Sequence, residues 1–175
     1  SIMQSIYLGG GCFWCTEAIF KKVKGVKSVT PGYIGGRTNN PTYEEVCNGN
    51  TGHVEVIECN FDDKYIGLND ILNIFFSTHD PTQLNRQGND IGTQYKSAIF
   101  CTNESQKIRV EDFIKSIEHL FSKRIVTQVS LSNNFFKAED YHLNYYNLNM
   151  NAPYCQIIIK PKLLKFTEQF KTKLT

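Results

Sequence analysis

Two cysteines stand three residues apart directly after a run of glycines, in the segment Gly9-Gly10-Gly11-Cys12-Phe13-Trp14-Cys15. An apolar stretch precedes the glycines and a helical spacing of apolar residues follows them, so Cys12 is predicted to lie where a strand passes into a helix. Unpaired amides at a helix N-terminus favour a thiolate, which would lower the pKa of Cys12 and make it nucleophilic. The segment therefore indicates a reactive thiol, with Phe13 and Trp14 as an aromatic wall beside it.

Three other interpretations of this segment stand beside the first. A lone cysteine is more often a buried core thiol than a nucleophile. The C-x-x-C pair could form a dithiol–disulfide site of the thioredoxin sort. It could also be half of a zinc site with Cys47, His53 or Cys59, but the chain has no second C-x-x-C and no H-x₃₋₅-H pair. We therefore expect no metal site.

The elements that would position these residues follow from hydrophobic periodicity. Strands are predicted over 3–8, 26–34, 53–61, 95–101, 126–131 and 155–160, and helices over 16–23, 42–47, 68–77, 105–121 and 137–147, with a short basic helix at the end. The polar segment 79–93 is longer than most loops, and such loops are often functional. Strands and helices mix with no break between halves. We predict one catalytic domain over residues 1–175, of α/β (α+β) class, with helices packed on a mixed sheet.

The composition is that of an ordinary globular protein. The chain has 175 residues, 41% hydrophobic and 21% charged, with a net charge of +2, so neither nucleic acid nor an anionic membrane is expected as a partner. No apolar run approaches the roughly 20 residues of a membrane helix, and no signal peptide is visible. Six cysteines are spread through a chain with ample core material. This usage predicts a reducing compartment, and hence a cytoplasmic protein.

Five blocks, in the same order, resemble the motifs of the A-type methionine sulfoxide reductases. They are Gly11-Cys12-Phe13-Trp14; Tyr33-Ile34-Gly35-Gly36 with Pro41-Thr42-Tyr43; Gly52-His53-Val54-Glu55; Gly88-Asn89-Asp90-Ile91-Gly92-Thr93-Gln94-Tyr95; and Glu139-Asp140-Tyr141-His142. Together they extend over nearly the whole chain. The resemblance implies a two-layer α/β sandwich with a ferredoxin-like core.

The resemblance also implies which residues carry the reaction. Cys12 would attack the sulfoxide sulfur. Glu55 would be the acid that protonates the departing oxygen, which a carboxyl does only if an apolar site raises its pKa. Tyr43 and Tyr95 would donate hydrogen bonds to that oxygen as it gains charge.

Further matched residues would shape the site around the substrate. Phe13 and Trp14 would hold the S-methyl group, and Asp90 would hold its loop and a water molecule. Gly52 and His53 would shape the turn that presents the glutamate. His142 is expected to be a structural hydrogen-bonding residue, because the implied mechanism has no step for it.

Attack would leave Cys12 as a sulfenic acid, which a second thiol condenses to a disulfide. Cys155 and Cys15 are both candidates for this resolving thiol. We favour Cys155, because the short C-F-W-C loop must strain to close a disulfide. Direct attack by an external thiol stays open. The remaining thiols, Cys47, Cys59 and Cys101, are expected to be inert in the core.

The resemblance implies a substrate and a reductant as well. The substrate would be the S epimer of methionine sulfoxide, free or in oxidised proteins, and the role would be protein repair. Thioredoxin, or dithiothreitol in vitro, would restore the dithiol, with no bound cofactor, and the protein would be a monomer. Two rival functions are a general dithiol–disulfide oxidoreductase built on Cys12 and Cys15, and a binding module that recognises methionine without chemistry.

Overall fold

A six-stranded mixed sheet forms the centre of the molecule, a computed structural model that describes residues 2–175. The strands are β1 Met3–Gly9, β2 Val26–Ile34, β3 Val54–Asp62, β4 Arg86–Gln87, β5 Asp90–Ile91, β6 Ala98–Cys101, β7 Gln128–Leu131 and β8 Phe136–Lys137. The order in the sheet is β7-β6-β1-β3-β2-β8, while β4 and β5 form a separate hairpin. Only the β6–β7 pair is parallel; the other pairs of the sheet are antiparallel.

Six α-helices accompany the sheet: α1 Phe13–Phe20, α2 Tyr43–Cys47, α3 Leu68–Ser77, α4 Glu104–Ile117, α5 Tyr145–Leu148 and α6 Lys160–Gln169. The main core joins one face of the sheet to α1, α3 and α6. The predicted class, a mixed sheet with helices packed on it, is confirmed. Among residues 2–175, no helix combines the length and the apolar character needed to cross a membrane.

The central strand β3 is buried on both faces, and this decides where Glu55 points. Val54 and Val56 pack in a small second cluster with Ile34 and Phe100. Successive strand residues point to opposite faces, so Glu55 shares the helix-covered face with Ile57. A glutamate that alternates with valines usually faces water, but here both faces of its strand are covered.

The predicted strand over 155–160 is wrong. Residues Cys155–Ile159 form a π-helical turn that continues directly into α6. The β-branched run at 157–159 favours a strand, but the buried positions follow helical spacing: Cys155, Ile159, Leu163 and Phe166 are buried, whereas Ile157 is 70% exposed. Burial of one helical stripe overrides the local β propensity.

The predicted helix over 137–147 is also wrong. Its residues form the end of β8, a 3₁₀ turn over Asp140–His142 and the short helix α5. Asn144 interrupts any longer helix, because its φ of +56° is left-handed. Its amide donates to the buried carboxylate of Glu17 at 3.0 Å, which fixes this break against α1.

Candidate active site

Cys12 lies at the junction of β1 and α1, as the sequence predicts, but the helix begins three residues earlier than expected. Cys12 is therefore the N-cap residue, and the Cys15 amide donates to its carbonyl oxygen at 3.1 Å. The preceding Gly11 has a φ of +96°, and a Cβ there would lie 2.8 Å from the Gln87 side chain. Only glycine fits this turn. The Cys12 side chain is left only slightly exposed.

The expected lowering of the Cys12 pKa does not hold in the folded chain. Burial raises it well above its usual range, and Glu55 raises it further when its carboxyl is ionised. The Trp14 amide at the helix N-terminus lowers it by hydrogen bonding, as the sequence argument requires, but desolvation is the larger effect. Cys12 is therefore a protonated thiol before substrate binds.

Glu55 is buried beside the start of α1. Its Oε1 accepts a hydrogen bond from the Phe13 amide at 3.1 Å, while its Oε2 has no hydrogen-bond partner among the described residues. Burial raises the pKa of this carboxyl to about 8, against the lowering effect of the Phe13 bond. The group is thus protonated at neutral pH and has a free oxygen from which to donate, the two properties that an acid catalyst needs.

Tyr43 and Tyr95 come from different elements and surround the same carboxyl. Tyr43 begins α2, whose N-cap Thr42 forms a capping box with Glu45, and Tyr95 ends a 3₁₀ turn after β5. Burial first, and then the charge of Glu55, raises the pKa of both phenols. Both hydroxyls therefore stay protonated and can donate hydrogen bonds.

Cys47 belongs to this cluster, so its prediction as an inert core thiol is wrong. It is exposed, and although burial raises the pKa of its thiol on balance, the nearby Tyr43 and Tyr95 hydroxyls act to lower it. It ends the five-residue helix α2, and a helix this short turns its last residue back towards its first. The i, i+4 spacing of Tyr43 and Cys47 in a predicted helix could have indicated from the sequence that the two side chains lie side by side.

The aromatic wall is built on Trp14. Its ring stacks on Tyr145 with centroids 3.7 Å apart, and Tyr154 meets it edge-on at 5.8 Å. Its Nε1 donates to Nδ1 of His142 at 2.9 Å. His142 is fully buried against the rings of Phe13 and Tyr43. This placement fits the structural role predicted for His142.

Glu139 ties the wall to the sheet. Its two carboxylate oxygens accept from the Tyr33 hydroxyl at 2.9 Å and from the Tyr43 amide at 2.8 Å. Burial alone would raise the pKa of Glu139, but these hydrogen bonds lower it on balance, so the carboxylate is ionised. It therefore anchors the first turn of α2, which carries Tyr43, to β2.

A cavity of about 560 Å³ opens on the other side of Cys12. Cys12, Cys15, Asp90, Tyr154 and Lys162 are among its lining residues. The Tyr154 hydroxyl donates to Asp90 at 2.6 Å, which joins the β4–β5 hairpin to the C-terminal segment. A larger groove of about 900 Å³ shares Lys162 but contains neither Cys12 nor Glu55. The smaller cavity is therefore the one at the reactive cysteine.

The two candidate resolving thiols have different surroundings. Cys15 lines the cavity with Cys12, whereas Cys155 is fully buried in the core and does not line it. Cys59 and Cys101 are buried on β3 and β6, as expected. All six cysteines are free thiols.

His53 holds the turn that precedes Glu55. Its Nδ1 accepts from the Gly36 amide at 3.0 Å, so Nε2 carries the proton and donates to the Thr38 carbonyl at 2.7 Å. Gly36 packs so closely on the ring that a Cβ would lie 2.4 Å from it. Among residues 2–175 no group of three or more potential ligands is arranged to hold a metal ion.

The fold brings together the residues that the sequence blocks single out: Cys12, Phe13, Trp14, Tyr43, Glu55 and Tyr95. Asp90 lies at the cavity next to Cys12. Sequence reasoning missed Tyr154, Lys162 and the exposure of Cys47. Tyr154 and Lys162 lie in or beside the segment predicted to be a strand, so their helical placement at the site could not be foreseen.

The chain is similar throughout its length to known proteins. The family model described as peptide methionine sulfoxide reductase matches residues 4–174. A protein named peptide methionine sulfoxide reductase MsrA, from Saccharolobus solfataricus, is 51% identical over 172 residues, which cover 98% of this chain and 97% of that protein.

Solved structures agree with the sequence comparison. Methionine sulfoxide reductase A of Corynebacterium diphtheriae aligns with a TM-score of 0.82 at 34% identity, covering 86% of this chain and 76% of that one. Reduced Mxr1 from Saccharomyces cerevisiae aligns with a TM-score of 0.83 at 30% identity, covering 87% and 89%. Mxr1 has also been solved in complex with Trx2. Because the family model and a relative that is half identical both span nearly all of it, the chain belongs to the peptide methionine sulfoxide reductase family, in its A type.

Proposed function

We propose that this chain reduces the S-sulfoxide of methionine, free or in oxidised proteins, with Cys12 as nucleophile and Glu55 as acid. The observation that carries the assignment is the state of Glu55. Its carboxyl is buried at the N-terminus of the helix that begins with Cys12, has one unpartnered oxygen, and has a pKa of about 8. A proton donor is therefore fixed beside the nucleophile at neutral pH.

The first step uses the groups around that carboxyl. Cys12 attacks the sulfoxide sulfur and forms a sulfur–sulfur bond to it. The proton of the Cys12 thiol and the proton of Glu55 both pass to the oxygen, which leaves as water, so that the methionine sulfur becomes a sulfonium and Glu55 a carboxylate. Water then attacks the Cys12 sulfur and gives one proton to the Glu55 carboxylate, methionine leaves with the electron pair of the sulfur–sulfur bond, and Cys12 becomes a sulfenic acid. Tyr43 and Tyr95 stabilise the charge that develops on the oxygen, since both hydroxyls stay protonated.

The aromatic side chains hold the substrate for this attack. Phe13 is fully buried and Trp14 half-buried, and the stack of Trp14 on Tyr145 fixes the indole plane. An apolar wall of this kind accepts an S-methyl group and excludes water from the reacting atoms. Asp90, held by Tyr154, positions the β4–β5 hairpin at the mouth of the site.

A second thiol then resolves the sulfenic acid as a disulfide, and thioredoxin reduces that disulfide. The complex of the yeast relative Mxr1 with Trx2 supports a thioredoxin as partner. Thiol chemistry accounts for the whole cycle, so we propose no bound cofactor. We place the enzyme in the cytoplasm, where its free thiols stay reduced, as a monomeric single catalytic domain that repairs oxidised proteins.

The test is turnover of peptides that carry either sulfoxide epimer, with dithiothreitol or thioredoxin as reductant. We expect reduction of the S epimer only, and loss of it with both reductants in Cys12→Ser. Cys101→Ala, which changes a thiol on β6 remote from the site, is the matched control and keeps activity. Normal turnover by Cys12→Ser would overturn the assignment.

A further inference from the structure

One cation reaches into the reactive-cysteine cavity from the C-terminal helix. Lys162 lies on α6 and lines both the cavity that contains Cys12 and a small pocket behind Cys15. Cys15 is the one thiol that lines both spaces with it. Building on the proposed reductase function, we propose that Lys162 is a positioning residue that stabilises the thiolate form of Cys15 when this thiol ionises, and that this thiolate resolves the sulfenic acid on Cys12.

The backbone between the two cysteines permits their disulfide. Cys12 is the N-cap of α1, and the hydrogen bond from the Cys15 amide to the Cys12 carbonyl closes one turn between them. Residues three apart on a helical turn have Cα atoms about 5 Å apart. That separation lies inside the range that disulfides accept. The helical turn therefore meets the Cα separation that a disulfide needs, which the sequence-based expectation of a strained loop did not take into account.

Cys155 is less suited to the first resolving step. It is fully buried in the π-helical turn and does not line the cavity of Cys12. It does lie close enough to Cys15 for its charge to act on that thiol. Cys15 is therefore the thiol that interacts with both Cys12 and Cys155.

Lys162 opposes the effects that keep Cys15 protonated. Burial raises the pKa of the Cys15 thiol, and Asp90 and Cys155 raise it by charge. The nearby ammonium of Lys162 lowers the Cys15 pKa, but burial outweighs it, so the thiol stays protonated at rest. The other titratable group at this pocket is His79, whose pKa burial lowers to about 4, so it is neutral at pH 7. Among residues 2–175, Lys162 is thus the only positively charged group at the pocket that Cys15 lines.

The resolving step balances with these groups alone. The Cys15 thiolate attacks the sulfenic sulfur of Cys12, the new sulfur–sulfur bond forms, and the sulfur–oxygen bond breaks. Hydroxide leaves and takes up a proton as water, the counterpart of the proton that Cys15 gave up. The Cys12 sulfur is reduced by one electron equivalent and the Cys15 sulfur oxidised by one, and Lys162 is unchanged.

The test separates the two half-reactions in a single turnover without reductant. Reduced enzyme is mixed with the S-sulfoxide peptide and quenched with a thiol trap, and methionine and the Cys12–Cys15 disulfide are each followed in time. Wild type is compared with Lys162→Met, Lys162→Arg and the control Lys165→Met, an exposed lysine on the same helix. The measurement is repeated across pH.

We expect methionine to form at the wild-type rate in Lys162→Met, but the disulfide to form more slowly. A nearby positive charge lowers a pKa by roughly one unit or more, so the loss of Lys162 should reduce the fraction of Cys15 that is thiolate about tenfold at neutral pH. A more basic thiolate is also more nucleophilic, and this recovers about half of the loss in the rate of disulfide formation on a logarithmic scale. The rate at neutral pH should fall about threefold or more. The midpoint of the pH dependence of this rate should move to higher pH in Lys162→Met, and Lys162→Arg should restore the wild-type midpoint.

If Lys162 had a purely structural role, Lys162→Met would change the rate of disulfide formation by the same factor at every pH. That result would overturn the proposal. So would formation of a Cys12–Cys155 disulfide at the wild-type rate in Cys15→Ser. Failure of the wild type to form methionine would instead contradict the proposed function. The two failures are therefore distinguishable in one experiment.

Discussion

Glu55 and Cys12 are both protonated in the free enzyme, and each influences the other. Burial is the main cause of both raised pKa values, and the Glu55 carboxylate would raise the Cys12 pKa further. Keeping Glu55 neutral therefore removes a repulsion that would oppose thiolate formation. The same proton is then available for the sulfoxide oxygen. In the proposed reaction, one buried carboxyl thus serves Cys12 before the attack and the leaving oxygen during it.

Glu55→Gln should lower the rate of methionine formation in a single turnover by about 10²–10⁴-fold, because the amide cannot give up a proton. The wild-type rate should fall as pH rises through about 8, where the raised pKa of Glu55 lets the acid form disappear. The residual rate of Glu55→Gln should lack this fall. A wild-type rate that stayed level from pH 7 to pH 9 would exclude Glu55 as the acid.

Tyr43→Phe and Tyr95→Phe should each lower kcat by up to about 10²-fold, because one of two hydrogen-bond donors to the oxygen is lost. KM should change little, since the ring and its packing remain. Steady-state kinetics with the S-sulfoxide peptide measures kcat and KM separately. Tyr65→Phe, an exposed tyrosine remote from the cluster, is the control. A rise in KM at constant kcat would mean that the hydroxyls bind the ground state only.

At the scale of elements, the site depends on α2 being held in place. This helix has only five residues, too few to be stable by itself, and Glu139 fixes its first amide to β2. The carboxylate also accepts a hydrogen bond from the hydroxyl of Tyr33, whose side chain is fully buried. Glu139 is therefore the link between the sheet and Tyr43, the tyrosine that we propose to donate to the sulfoxide oxygen.

Glu139→Ala should reduce the free energy of unfolding by about 2–3 kcal/mol, the contribution of hydrogen bonds to a charged group. It should also lower kcat, because Tyr43 loses its fixed position. Denaturant unfolding and steady-state kinetics check the two effects. Glu44→Ala, an exposed residue of the same helix, should leave both nearly unchanged. Equal effects of the two substitutions would show that the link to β2 has no special role.

Elements whose periodicity is unambiguous could be predicted from the sequence, and those shaped by tertiary contacts could not. The strand around Glu55 and the helix α3 agree closely with their hydrophobic patterns. The turn at Cys155 was misassigned because β-branched residues dominate its local propensity, whereas its burial follows the helical stripe that continues through Leu163. The break at Asn144 depends on the buried carboxylate of Glu17, which is remote in sequence.

The same distinction applies to the site. Ordered motifs identified the groups around Glu55, because each block carries its own residue types. The protonated state of Cys12 could not be predicted, since burial of the thiol outweighs the helix N-terminus only in the folded chain. Lys162 and Tyr154 could not be predicted either, because their positions at the cavity require the path of the C-terminal segment.

For the molecule as a whole, His79 should make stability depend on pH. Its ring joins α3 to the start of β6, with one nitrogen 2.6 Å from the Phe75 carbonyl and the other 2.7 Å from the Ser97 hydroxyl. Burial lowers its pKa to about 4. The unfolded chain therefore binds a proton more readily than the folded one between about pH 6.5 and 4.

Stability should accordingly be complete above about pH 6.5 and fall as pH drops towards 4, by roughly 1–2 kcal/mol, a value reduced because the ring is partly exposed to solvent. Thermal unfolding across this range measures the loss. His79→Gln should reduce the slope while leaving other acid-sensitive groups in place. An unchanged slope would assign the acid sensitivity to those other groups.

The most direct test of the whole account is to identify which cysteine carries the sulfenic acid after one turnover. A Cys15→Ser, Cys155→Ser variant removes both resolving candidates, so the sulfenic acid should persist long enough to be trapped with dimedone and mapped by mass spectrometry. The account predicts an adduct on Cys12 in an amount equal to the methionine released. Methionine released with no adduct on Cys12, or with the adduct on Cys47, would contradict it.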